Sequence, residues 1–174
     1  MPNLVITRAA SAADLPAISE LQGRVFGPGR FARAAYRVRE GTPKITRFCH
    51  VAEKGNRLIA SLRMTDVTIG GTPGAALLGP LAVEPEYRGQ GYGRQLVAEA
   101  MEDAKAAGVK LVVLVGDVPY YGRFGFAPVP MGQIVLPGPA NPARILAAEL
   151  IEGALQNYRG VVAAETDAGS GGKS

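Results

Sequence analysis

A chain with one cysteine cannot close an intramolecular disulfide, and Cys49 is the only cysteine among these 174 residues. An unbridged thiol makes a cytoplasmic location the expectation. Histidine is equally scarce. His50 is the only one and stands beside Cys49 in a strand-like pattern. With no third ligand nearby, neither a metal site nor a Cys–His pair is expected, and packing is the simpler role. No apolar run is long enough to cross a bilayer. The opening MPNLVITRAAS has no basic segment followed by a long apolar stretch, so no secretory leader is expected. No internal repeat is visible.

Hydrophobic residues make up 47% and charged residues 20%, the composition of a folded globular domain. The length suits one domain with a real core. That domain is expected over residues 1–165, with the glycine- and serine-rich residues 166–174 as a disordered tail. Net charge is +4. The excess is concentrated: Arg24, Arg30, Arg33, Arg37, Arg39, Lys44 and Arg47 face one acid, Glu40. Such a run reads first as a solvated face, and otherwise as a contact for an acidic substrate, cofactor phosphates or nucleic acid.

Leu4–Ala10 alternates weakly and predicts a strand. Ser11 with Asp14 forms a capping-box pattern, predicting a helix over 12–26 that Gly27, Pro28 and Gly29 end. A second helix is predicted over 30–40. RFCHVAEKGNRLIASLRMTDVTIGG predicts two strands joined at Lys54-Gly55-Asn56. Ala75–Val83 predicts another, opened or bulged at Pro80, which has no N–H for the ladder. Leu96, Val97, Ala100, Met101, Ala104 and Ala107 fall at helical spacing, with Gly108 as a stop. LVVLV, 111–115, is apolar on both faces and predicts a buried central strand, closing a βαβ unit with a parallel pair. RFGFAPVP and MGQIVLP read as extended. For 143–150, local rules favour a helix capped by Asn141 with Pro142 at its first position.

Between the strand ending at Val83 and the helix that follows lies EYRGQGYG, with glycine at 89, 91 and 93. A glycine turn entering a helix exposes backbone N–H groups in one direction, at the positive end of the helix dipole. That arrangement suits phosphate, and Arg88 and Arg94 add charge. Gly93-Arg94-Gln95 is not a Walker ending. A G-x-G-x-x-G fingerprint fails from Gly89, where Arg94 takes the third glycine's place, and from Gly91, where Leu96 does. Asp117 does stand where a dinucleotide fold places its ribose-binding acid, but hairpins rather than helices precede the turn.

Arg88-Gly89-Gln90-Gly91-Tyr92-Gly93 resembles the acyl-CoA signature of the GNAT superfamily: Arg or Gln, two residues, glycine, one residue, then glycine or alanine. Tyr121-Gly122-Arg123-Phe124-Gly125-Phe126 resembles the family's second motif, a tyrosine, three residues, then Gly-Phe. The likeness is strong over 77–128 and follows the family's element order over 4–74. It implies an α+β fold: a central mixed, mostly antiparallel sheet of six to seven strands, splayed at the cofactor site and flanked by helices. It also implies a strand rather than a helix within 143–150. The family resemblance places the diphosphate of coenzyme A on the amides of Gly89, Gln90, Gly91, Tyr92, Gly93 and Arg94, with Arg88 at the entrance. The pantetheine arm lies along Leu81, Ala82 and Val83.

The implied activity is transfer of an acetyl group from acetyl-CoA to a primary amine through a tetrahedral intermediate. A backbone N–H near Val83 would stabilise the oxyanion. Tyr121 occupies the position of the proton donor to the departing thiolate, with Tyr120 as the neighbouring alternative. A thiol of pKa about 8.5 and a phenol of about 10 are reasonably matched for that step. The base stays open among Glu84, Asp117 and ordered water. The acceptor, a small molecule or a peptide, is not readable, and a homodimer is compatible with the family. An acyl-CoA-binding sensor without turnover is the alternative class. A nucleic-acid binder lacks a basic-aromatic platform.

Overall fold

A mixed sheet forms the centre of the computed structural model, which describes residues 4–27, 48–138 and 140–165. The predicted helix over 30–40 and tail over 166–174 lie outside the described residues, as does most of the basic segment 24–47. β1 (Val5–Ala9) leads through a 3-10 turn, Ala12–Asp14, into α1 (Leu15–Phe26). β2 (His50–Lys54), β3 (Arg57–Ile69) and β4 (Thr72–Val83) form an antiparallel meander. Helix α2 (Tyr92–Ala106) crosses to β5 (Leu111–Val115), which runs parallel to β4. A one-turn helix α3 (Val118–Tyr121) is followed by β6 (Ala127–Pro128), β7 (Ile134–Val135), β8 (Ile145–Glu149) and β9 (Gly160–Ala164).

The sheet order is β1-β2-β3-β4-β5-β8-β6, with β9 beside β3 and β7 beside β9. The fold expectation holds, with two more strands than its upper count. Strands β4 and β5 are buried on both faces because their residues are apolar in both parities. Ala76, Leu78, Val112 and Leu114 enter the core under α2, which Leu96, Val97, Ala100, Met101 and Ala104 complete. Ala75, Leu77, Leu111 and Val113 enter a second core with Ile69, Tyr158 and Val162. Among the described residues no helix is long and apolar enough to cross a membrane.

Several sequence expectations shift locally. Ala107 is not on the buried face of α2. It is the exposed residue after the last turn, and Gly108 follows at φ +90°. The expected bulge at Pro80 is present, since pairing jumps from Leu62↔Leu81 to Met64↔Leu78. RFGFAPVP is not extended throughout, because Gly122–Phe124 forms a 3-10 turn and only Ala127–Pro128 pairs. The helix signal at Asn141 is real but brief. Its side chain caps the N–H of Ala143, one 3-10 turn forms over Pro142–Arg144, and the chain then becomes β8. Pairing of all five β8 residues with β5 overrides the local helix preference.

The capping box also forms. Ser11 N–H donates to Asp14 Oδ2 at 2.8 Å, and Arg8 grips both Asp14 oxygens at 2.8 Å. The Arg8 guanidinium holds the Asp14 carboxyl down at about 2, against the opposing effect of burial. A depressed folded pKa contributes stability above the ordinary aspartate range, lost as pH falls through the folded value. Asp14→Asn should therefore lower stability near pH 7 by about 1 kcal/mol, a figure reduced for the half-exposed arginine. The gap should narrow between pH 4 and about 2. Denaturant curves of both proteins across this range test it, and a gap that does not change with pH contradicts it.

His50 packs as expected. It is buried, with Nε2 2.9 Å from Asp103 Oδ2 and Nδ1 3.6 Å from Glu99 Oε1, tying β2 to α2.

Candidate functional site

β4 and β5 pair through only three rungs, Ala75↔Leu111 to Leu77↔Val113, and then part. The last residues of β4 keep their ladder to β3, with Leu62↔Leu81, Ser61↔Ala82 and Ala60↔Val83. On its other edge β5 keeps its ladder to β8 through its last residue, Val115↔Ile145. Among the described residues, no strand pairs with this edge of β4 beyond Leu77. The gap opens into a cleft of about 500 Å³.

The glycine turn closes one end of this cleft. Gly89 and Gly91 take φ of +80° and +92°, and Gly91 caps the start of α2. Positive φ at both positions is the reason for glycine here. Arg88 N–H donates to Pro85 O, and the first bond into the helix runs from Gln95 N–H to Gly91 O at 3.0 Å. Between them, the amides from Gly89 to Arg94 donate to no carbonyl of the described residues. These are uncommitted donors at the positive end of a fifteen-residue helix. Leu81, Val83, Arg88, Gly89, Gly91, Tyr92, Gly93 and Arg94 line the cleft. Ala82 does not, because its side chain faces the core and is fully buried. The Gln90 side chain turns back to Glu86 O at 3.2 Å.

The opposite wall carries the tyrosines. Asp117 starts α3, and its carbonyl accepts from the amides of Tyr120 and Tyr121 at 3.2 and 3.0 Å. Both phenols line the cleft and meet edge to face, with centroids 4.8 Å apart. Their seats differ. A Cβ on Gly116 would lie 2.6 Å from the Tyr121 ring, so Gly116 makes room for Tyr121. The Tyr120 hydroxyl crosses the groove to α2. A Cβ on Gly93 would lie 2.8 Å from it, 3.3 Å from Val83 Cγ2 and 3.4 Å from Leu81 Cδ2. Burial raises the pKa of Tyr120 despite the opposing Arg123 and Arg94, which keeps it a protonated donor.

Glu84 changes its meaning. It is buried, and its Oε2 accepts from Arg24 at 2.6 and 3.1 Å and from Arg57 at 2.8 Å. The Arg24 bond, ahead of the opposing burial and then Arg57, lowers its pKa. A carboxylate stabilised this way is a poor proton acceptor. It is a clasp joining α1, β3 and the entry to the glycine turn. Asp117 is exposed, with Oδ1 3.1 Å from Arg144 Nε. Val25, Phe26, Tyr87, Val115, Gly116 and Arg144 also line the cleft. Nothing local in the sequence marks these residues, since pairing of distant segments brings them there. Among the described residues no group of histidine, cysteine or carboxylates could hold a metal ion.

The defining pattern of the family described as Acetyltransferase (GNAT) domain matches residues 7–129. The uncharacterised N-acetyltransferase YhbS of Escherichia coli K12 is 28% identical over 159 residues, covering 91% of this chain and 95% of that protein. The uncharacterised N-acetyltransferase YjhQ of the same strain is 30% identical over 126 residues, 71% of this chain and 68% of that protein. The crystal structure of Escherichia coli YhbS in complex with CoA superposes with a TM-score of 0.78, covering 94% of this chain and 91% of that one at 28% identity. A GNAT acetyltransferase from Brucella melitensis in complex with acetyl-CoA gives 0.62 at 25% identity, covering 84% and 97%. Parted strands, a glycine turn opening a helix, and a matching pattern over most of the chain all agree: this protein belongs to the GNAT family of acetyltransferases.

Proposed function

We propose that the protein moves an acetyl group from acetyl-CoA to a primary amine. The observation that carries this reading is the run of amides from Gly89 to Arg94 that no described carbonyl engages, set beside the edge of β4 at Leu81 and Val83 that no described strand pairs. Those amides, with Arg88 and Arg94, suit a diphosphate. The open edge of β4 at Leu81 and Val83 suits an extended, amide-bearing arm added like a strand. The solved relatives with CoA and acetyl-CoA support the same cosubstrate. Residues 1–165 are read as one such domain, acting in the cytoplasm.

The chemistry needs little more. The neutral amine attacks the thioester carbonyl, a C–N bond replaces the C–S bond, and the amine's extra proton leaves to solvent. A β4 amide near Val83 steadies the developing oxyanion. Tyr121 supplies the proton taken by the thiolate, as its place in the second motif implies. Glu84, held as a carboxylate by two guanidinium partners, is a poor base and is not assigned that role.

Calorimetric titration with acetyl-CoA tests binding, and thiol release with a panel of amines tests turnover. No heat with any acyl-CoA would end the reading. Tyr121→Phe should lower kcat by about a hundredfold with little change in acetyl-CoA affinity. Tyr120→Phe should change kcat less. The reverse order would assign proton donation to Tyr120, whose hydroxyl already reaches across the groove.

A further inference from the structure

Beyond the acetyl donor, the cleft carries a pair of charges that the transfer chemistry does not use. β5 ends at Val115 and β8 begins at Ile145, and these two residues are paired. One step further, Gly116 N–H donates to Arg144 O at 2.9 Å. The two chains therefore deliver Asp117 and Arg144 side by side onto the cleft wall, where Arg144 Nε meets Asp117 Oδ1 at 3.1 Å.

This pair does little for the fold. Its side chains are 44% and 68% exposed, and exposed ion pairs contribute little to stability. Asp117 caps α3 with its main-chain carbonyl, and its carboxylate makes no cap bond. Arg144 is engaged through Nε alone. Its two terminal nitrogens and Asp117 Oδ2 have no partner among the described residues. Val25, Phe26 and Val115 line the same cleft.

We propose that the acceptor is an amine carrying a carboxylate within a few bonds of its nitrogen, received by Asp117 and Arg144. The inference rests on the acetyl-transfer reading and names its substrate class. A free guanidinium fork matches a planar carboxylate with two parallel bonds. A free carboxylate oxygen beside it attracts the ammonium form of the amine. An amino acid holds its two charges at about the separation of this pair and satisfies both. A plain alkylamine satisfies Asp117 but brings its positive charge against Arg144. Both residues act by orientation, and the proton of the amine still leaves to solvent.

The test measures thiol release from acetyl-CoA with each common amino acid and, in parallel, with its α-carboxamide. The amide keeps the size and the amine but lacks the carboxylate charge. At least one amino acid should exceed its amide in kcat/KM by about tenfold or more, the effect of one lost charged hydrogen-bond pair. Arg144→Gln should bring that ratio to within about twofold, mainly through KM. Arg144→Lys should fall between, since it keeps the charge and loses the fork. Thermal unfolding of each variant shows whether it is folded, and binding of the same ligands to the CoA-loaded protein gives a readout independent of turnover. Amino acids and amides that behave alike in the parent, or a preference that survives Arg144→Gln, overturn the proposal. If acetyl-CoA itself fails to bind, the acetyl-transfer reading falls and takes this one with it. If acetyl-CoA binds and the matched ligands behave alike, only this inference falls.

Discussion

Gly91→Val should raise the dissociation constant for acetyl-CoA by about a hundredfold, or roughly 2.7 kcal/mol. Gly91 sits at φ +92° and ψ 0° as the cap of α2. A β-branched residue is strained there by about 1–3 kcal/mol whatever the surrounding space. Space is not limiting, because only the tip of Arg94 lies within 4 Å of the added carbon, at 3.8 Å. The strain is relieved by rotating the turn, and that rotation re-aims the amides of Tyr92 and Gly93. A diphosphate held by several backbone donors loses most of them together. The matched control is Gly108→Val, at φ +90° with open space, just beyond the other end of α2. It carries similar backbone strain and should leave affinity within about twofold. Isothermal titration of both variants decides the matter. Equal losses in the two would mean that α2 as a whole matters, not the geometry of its mouth.

Gly70→Ala should cost the fold about 3–5 kcal/mol, and lower the unfolding midpoint by about 10 °C for a domain of this size. Gly70 has φ +60°, and a Cβ there would lie 1.9 Å from the carbonyl oxygen of Arg159. The obstacle is backbone, which cannot swing aside as a side chain can. Gly160 faces it across the contact, and a Cβ on that residue would lie 2.8 Å from Gly70 Cα. This close approach fastens the β3–β4 turn to β9, and Gly70 N–H completes it by donating to Val161 O at 3.0 Å. Gly71→Ala shares the positive φ, +85°, but meets nothing within 4 Å. It should cost only about 1–2 kcal/mol. Denaturant unfolding of the pair separates the clash from the strain, and similar losses in both would refute the close-approach argument.

Much of the scaffold was legible because short-range rules govern it. The period of Leu96, Val97, Ala100, Met101 and Ala104 is a property of one helix and needs no partner to be read. The two-faced apolar run LVVLV requires burial on both sides, and both cores receive it. The site was legible in part for a similar reason. A tight turn that enters a helix with positive φ demands glycine, so Gly89 and Gly91 stand out in any sequence.

Other features were not legible because their causes lie far along the chain. Asn141 and Pro142 signal a helix that lasts one turn, since β5 offers a full ladder to the residues that follow. Glu84 reads locally as a free carboxylate near the site. Arg24, 60 residues earlier, and Arg57, 27 earlier, turn it into a clasp.

Sequence alone marked the long helix over 92–106, the buried strand over 111–115, the glycine turn, the tyrosine pair and the family, since each follows from neighbouring residues within one segment. Tertiary structure alone decided where β4 and β5 part, which phenol reaches across the gap, and that Asp117 meets Arg144. Those outcomes depend on which strands pair and for how many rungs. Pairing is settled between segments far apart in the chain, and no single stretch of sequence records its result.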